Sequence, residues 1–260
     1  MIYYISAPET IFKPVKLRLL ADDKKRHYLL SFATSSRHFE DFYQDGKNTI
    51  MIDSGAFSAW NSGKEIDREE YLSYCKKLPD EVFKINLDVI PKTGSSQEEK
   101  LKCIEESFEN YIYLSKYLKN VLPVHHYGED IKWIHKMLDE TDYVCISPAN
   151  DTHENIKRKY FKYLFSQIPL STKTHALGYS SVSGCEMFPF YSVDSISHKA
   201  THMHGHVLYK RSDGSFIFLD ISDYAKMNNY SYNPGVGLSK QRDLLEDSSY
   251  LHVNNLLDRF

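Results

Sequence analysis

Short apolar runs alternate with stretches of helical period through most of the chain, and that alternation restricts it to a few architectures. β-rich runs fall at residues 27–33, 49–53, 82–88, 121–126, 143–147, 172–177 and 190–194. Most are followed by a helical pattern. "REEYLSYCKKL" (68–78) follows Asp67 and Glu70 at capping-box spacing. Ser96 and Glu99 stand at the same spacing before Leu101, Ile104, Phe108 and Ile112. Residues 129–140 read as a helix, and Asp151 and Glu154 form another capping box before Ile156, Tyr160 and Leu164. Strands alternating with helices mean βαβ units and a parallel sheet. No Gly-x-Gly-x-x-Gly follows the first of these strands, which argues against a dinucleotide fold. Seven or eight units in about 220 residues fit a (β/α)8 barrel of the TIM type better than an open sheet.

Two stretches are irregular in this scheme. "GYSSVSGCEMFPF" after Leu177 has no helical period, and beyond Asp194 the pattern changes altogether. Residues 205–221 hold two β-rich runs around "RSDG", a hairpin signal; 228–239 read as a loop and 240–260 as a helix. The expectation is a single α/β barrel domain over 1–260, with 200–238 a hairpin-and-loop insertion and a C-terminal helix.

Composition narrows the function classes. Of 260 residues, 42% are hydrophobic, enough for a packed core. No apolar run nears the roughly 18–20 residues that span a bilayer. "MIYYISAPET" lacks a basic region followed by an apolar core, so a cytoplasmic protein without membrane partners is expected. Cys75, Cys103, Cys145 and Cys185 form no Cys-x-x-Cys pair, so neither a zinc ribbon nor a redox motif is indicated. A net charge of -3 gives no global electrostatic case for nucleic acid. The basic runs at 13–18, 24–27 and 157–163 read as solvated faces.

In a barrel the functional face lies at the C-terminal strand ends. Here those ends carry Asp53, Asp88, the group His125–His126–Tyr127–Gly128, Leu177–Gly178 after His175, and Asp194. A single Asp there commonly caps the next helix. Three converging on one mouth suit chemistry at an anomeric carbon, where one carboxylate attacks C1′ and another moves protons. Adjacent His125 and His126 face opposite ways on a strand, so one points into the mouth and the other packs behind it. His175 either hydrogen-bonds a carboxylate or fills the barrel. No Gly-x-Ser-x-Gly turn supports a hydrolase triad. His202, His204 and His206 would share a face if they lay on a strand, yet without a fourth ligand no metal is expected there.

These residues also carry a resemblance. "DSGAFS" (53–58) resembles the Asp-Ser-Gly-Gly-Phe-Gln signature of the tRNA-guanine transglycosylases, zinc-containing barrel enzymes that exchange guanine for a 7-deazaguanine. "NLDVIP" (86–91), "HHYGED" (125–130), "HALGYS" (175–180) and "YSVDSIS" (191–197) follow in the family's order. "IDSGAFSAW" and "PFYSVDS" are more similar still to short, phage-type members thought to act on DNA. The resemblance implies that Asp194 attacks C1′ and that Asp53 serves as general acid/base. It implies that Ser54 and Phe57 line the base, with Phe57 stacking on it, and that Asp88 accepts from the purine edge. His126, Tyr127 and Gly128 stand at the family's Gln-Gly, and His175, Ala176, Leu177 and Gly178 at its glycine-rich turn, whose backbone reads the heterocycle. Gly55 and Ala56 would be small so that a flat base can lie against them. The family's zinc ligands have no counterpart, so no cofactor is expected. The short chain favours DNA over tRNA as partner, together with a free 7-deazaguanine. The same covalent site with water as acceptor would make an N-glycosidase, and loss of chemistry would leave a nucleic-acid-binding relative.

Overall fold

The structure, a computed structural model, describes residues 1–148 and 152–260. Its main sheet has nine strands: β1 (Ile2–Ser6), β2 (His27–Ser31), β3 (Thr49–Asp53), β4 (Phe83–Ile85), β5 (Val121–Leu122), β6 (Val124–His126), β7 (Tyr143–Ser147), β8 (Lys173–Ala176) and β9 (Ser192–Ser195). They pair in parallel in the order β5-β4-β3-β2-β1-β9-β8-β7-β6, a nearly closed barrel flanked by helices and consistent with a TIM-type architecture. The two ends of that order, β5 and β6, are separated only by Pro123. Proline has no N–H to give to a ladder, but its carbonyl still accepts from Cys145 N–H at 2.8 Å.

The strand period of two sorts the side chains into two cores. Tyr3, Ile5, Tyr28, Leu30, Ile50, Ile52, Val144, Ile146, Ala176 and Val193 pack outward under the helices. Tyr4, Leu29, Met51, Ile85, Leu122, Val124, Tyr143 and Cys145 fill the barrel. β1 is the strand that the alternation did not reveal: "IYYIS" was read only for targeting, yet it pairs with both β2 and β9.

The helices mostly follow the expected signals. Asp67 accepts from Glu70 N–H at 2.8 Å to open Arg68–Cys75, and Ser96 and Glu99 form a reciprocal capping box on Gln97–Ser115. Other expectations are corrected. The helix expected over 129–140 is confined to Lys132–Leu138, because Gly128 at φ +93° and Asp130, which accepts from Lys132 N–H, form the turn before it. The stretch without helical period contains a short helix, Val182–Met187. Asp151 lies outside the described residues, and the helix Glu154–Gln167 starts after His153. The basic run at 24–27 is not all solvated: Arg26 is 2% exposed, donates to Leu19 O at 2.7 Å and pairs with Asp22.

Beyond β9, a hairpin of β10 (His206–Lys210) and β11 (Phe216–Asp220) packs on the terminal helix Arg242–Arg259, with a further helix at Ile221–Met227. His204 ends the helix Ala200–His204 and His206 opens β10, with Gly205 at φ +66° between them. The histidines at 202, 204 and 206 therefore do not alternate along one strand. His206 pairs with Asp220 at 3.1 Å. Among the described residues no group of three or more metal-ligating side chains is assembled, and no helix is long and apolar enough to cross a membrane.

Candidate active site

Register sets the direction of Asp53 at the end of β3. Met51 fills the barrel, so Asp53, two residues on, also points inward at the strand's upper end. Tyr4 and Ser6 on β1 and Ser192 and Asp194 on β9 obey the same parity. Asp194 is 6% exposed. Its Oδ1 accepts the Gly178 N–H at 2.7 Å and its Oδ2 accepts the Ser6 hydroxyl. Both oxygens of the carboxylate are thus fixed by donors.

Asp53 faces the same mouth from β3. Burial, then the charges of Asp194 and Asp88, push its carboxyl up to about 7, against the backbone N–H groups of Gly55 and Ser54. All three acids also act on Cys145 beneath them, whose thiol is held well above its ordinary range, first by burial and then by Asp88, Asp53 and Asp194. The mouth thus gathers three carboxylates, of which Asp53 is raised by the other two.

Asp88 is bound at both oxygens. Asn86 Nδ2 donates to Oδ1 at 3.0 Å, and His126 Nε2 lies 3.0 Å from Oδ2. Burial alone would depress the His126 imidazole, but the Asp88 carboxylate and Glu129 outweigh it and raise it to about 9. Glu129 is half-buried, and burial lifts it to about 7 although His126 pulls it down. His125 is buried behind the strand, its Nδ1 2.8 Å from Tyr160 Oη. The expected division between the two histidines holds.

His175 does not open onto the mouth. Its ring is fully buried, with Nδ1 2.6 Å from Ser192 Oγ, which is in turn 2.6 Å from Tyr143 Oη. Its Nε2 lies 3.3 Å from Asp194 Oδ1 without hydrogen-bond alignment. The ring supports Asp194 from behind. The neighbouring turn is also less available than the resemblance implied. Leu177 N–H is taken up by Ile146 O at 2.9 Å, Gly178 N–H by Asp194, and the Ala176 side chain packs outward. Ser54 is buried at 2%. Phe57 (65% exposed, near-parallel to Trp60) and Tyr127 (44%, edge-on to Tyr160) stand at the rim beside Gly128.

Gly55 is small for a reason internal to the chain. A Cβ there would lie 2.5 Å from Ser31 Oγ and 2.6 Å from the Ala33 methyl, on a backbone at φ +79°. Gly55→Ala is expected to cost about 2–4 kcal/mol of stability, read from the denaturation midpoint. A midpoint unchanged from wild type would refute that packing argument.

Sequence reasoning missed Ser6 and Glu129. The first was hidden because β1 went unread; the second carried a signal, an acid three residues after His126. No protein-family model matches the chain, and no curated protein matches it.

Proposed function

We propose that this chain is a base-exchanging glycosyltransferase built on a (β/α)8 barrel, replacing guanine in DNA, in preference to tRNA, with a 7-deazaguanine in the cytoplasm. The observation that carries the reading is the convergence of two carboxylates on one mouth: Asp194, held at both oxygens by Gly178 N–H and the Ser6 hydroxyl, and Asp53, whose carboxyl is raised to about 7 by burial and by the Asp194 and Asp88 charges. Paired carboxylates whose environments separate their protonation are the equipment for double displacement at an anomeric carbon. An Asp194 oxygen attacks C1′ as the bond from C1′ to the guanine nitrogen breaks. Protonated Asp53 delivers its proton to the departing base. The incoming base then gives its ring N–H proton to Asp53 and attacks C1′, releasing Asp194 and restoring the original configuration. The target nucleotide must leave its stack to reach such a mouth. Ser6, Gly178 and His175 hold Asp194, and Asp88 with His126 and Glu129 presents polar atoms to the heterocycle. No residue of this mechanism calls for a cofactor.

The direct test supplies a guanine-containing oligonucleotide and isotopically labelled guanine, with nucleosides read by mass spectrometry. Label in the strand is the expected result. Free base with an abasic site would make the protein a glycosidase using water. Neither product, with the strand still bound, would leave a binding protein only.

A further inference from the structure

A column of polar side chains climbs the inside of the barrel to Asp194. Tyr143 opens β7 and Ser192 opens β9, both at the barrel's lower end, and the pairing of β8 with β9 sets His175 beside Ser192. Tyr143 Oη lies 2.6 Å from Ser192 Oγ, and Ser192 Oγ lies 2.6 Å from His175 Nδ1. The other ring nitrogen, Nε2, is 3.3 Å from Asp194 Oδ1. All three side chains are buried, and Tyr4 closes one side of the imidazole edge-on. Polar groups sealed inside a barrel cost stability unless each finds a partner, so the order of the hydrogens along the column matters.

That order follows from counting. Each hydroxyl has one hydrogen to give. If Tyr143 gives to Ser192 and Ser192 gives to His175 Nδ1, every group in the column is paired and the ring hydrogen sits on Nε2, facing Asp194. Run the other way, the Tyr143 hydrogen has no acceptor among the described residues. A ring with a single hydrogen would then turn the bare Nε2 towards a carboxylate oxygen. Burial also holds the Tyr143 phenol above its ordinary range, so it keeps a hydrogen to give. The Ser192 bond to one ring nitrogen thereby decides what the other presents. Asp194 Oδ1 then meets two N–H groups, those of Gly178 and His175, while Oδ2 meets the Ser6 hydroxyl. The His175 contact is off the hydrogen-bond axis, yet an N–H dipole so close in a buried site still attracts negative charge.

We infer that Tyr143, Ser192 and His175 are positioning residues that divide the work of the two Asp194 oxygens: the column aims Nε2–H at Oδ1, which holds the charge, and leaves Oδ2 to attack C1′. This rests on the proposed function for its chemistry, whereas the order of the hydrogens can be read without turnover. In the first step the Oδ2–C1′ bond forms as the bond to guanine breaks, and Oδ1 becomes the carbonyl oxygen of the ester. In the second the incoming base nitrogen bonds to C1′, and the Oδ2–C1′ electron pair returns to the carboxylate. Nε2–H stabilises that returning charge, so its loss slows the second step and not the first. Heteronuclear NMR of the labelled histidine rings in the wild-type protein is expected to show His175 with its hydrogen on Nε2 and a bare Nδ1. A hydrogen on Nδ1, alone or with one on Nε2, would overturn the column. Ser192→Ala should mix the two ring forms, lower kcat for exchange by about tenfold with KM for the strand unchanged, and trap more protein as the covalent adduct in a denaturing gel. A general packing defect slows both steps and traps less, so wild-type or reduced adduct would overturn the division between the oxygens. Absent exchange by the wild-type protein would remove the proposed function and that division together, and the ring spectrum would still decide the hydrogen order.

Discussion

Asp194→Asn is expected to lower base exchange by on the order of 10⁴-fold or more and to abolish any covalent protein–strand adduct, because the amide cannot form the glycosyl bond. The side chain keeps its shape, and its Oδ1 can still accept the Gly178 N–H, so the fold should survive. Strand binding should persist. The check is denaturing electrophoresis of a labelled oligonucleotide quenched during turnover, beside the exchange rate. Exchange near the wild-type rate would remove Asp194 from the mechanism, and with it the double displacement.

Asp53→Asn should produce two changes of opposite sign. Exchange should fall by about 10²–10⁴-fold, the usual range for a positioned proton carrier. Stability should rise at pH 8. The folded carboxyl titrates near 7, above its unfolded value, so the native state holds a proton that the unfolded state has lost between about pH 4 and 7. Asp53 therefore costs nothing below about pH 4. Its cost grows as pH rises through that window, reaching at most about 4 kcal/mol once it is ionised in both states. The asparagine variant should melt higher than wild type at pH 8 and converge with it at pH 4. Wild-type exchange should lose its acid limb as pH rises through 7. Equal melting temperatures at pH 8 would show that the neighbouring acids do not burden this carboxyl.

Much of this was legible in the order of residues, and the rest was hidden for identifiable reasons. Their positions at strand ends placed Asp53 and Asp194 at the mouth of the barrel, while their inward direction follows from which face of β3, β1 and β9 fills the barrel, which the sequence alone does not reveal. The capping pairs Asp67/Glu70 and Ser96/Glu99 announced two helices. β1 was missed because a strand of five residues carries little periodic signal; its role comes from pairing with β9, 190 residues away at the register Tyr3↔Val193. Contacts across that span explain why the Ser6 hydroxyl on Asp194 could not be foreseen. The turn at Ala176–Gly178 looked free in sequence because nothing in it reveals that its N–H groups are already engaged. Gly55 was read as room for a base, whereas the crowding comes from Ser31 and Ala33, contributed by the preceding strand and its loop.

The break at Pro123 has a mechanical consequence. On this side of the barrel β4 pairs with β5, before the proline, and β7 with Pro123 O and β6, so the upper rim between β4 and β6 has no ladder of its own. Asp88 follows β4 and His126 ends β6, and their ion pair spans that gap. It acts as a clasp across a seam, so whatever loosens the clasp also widens the rim.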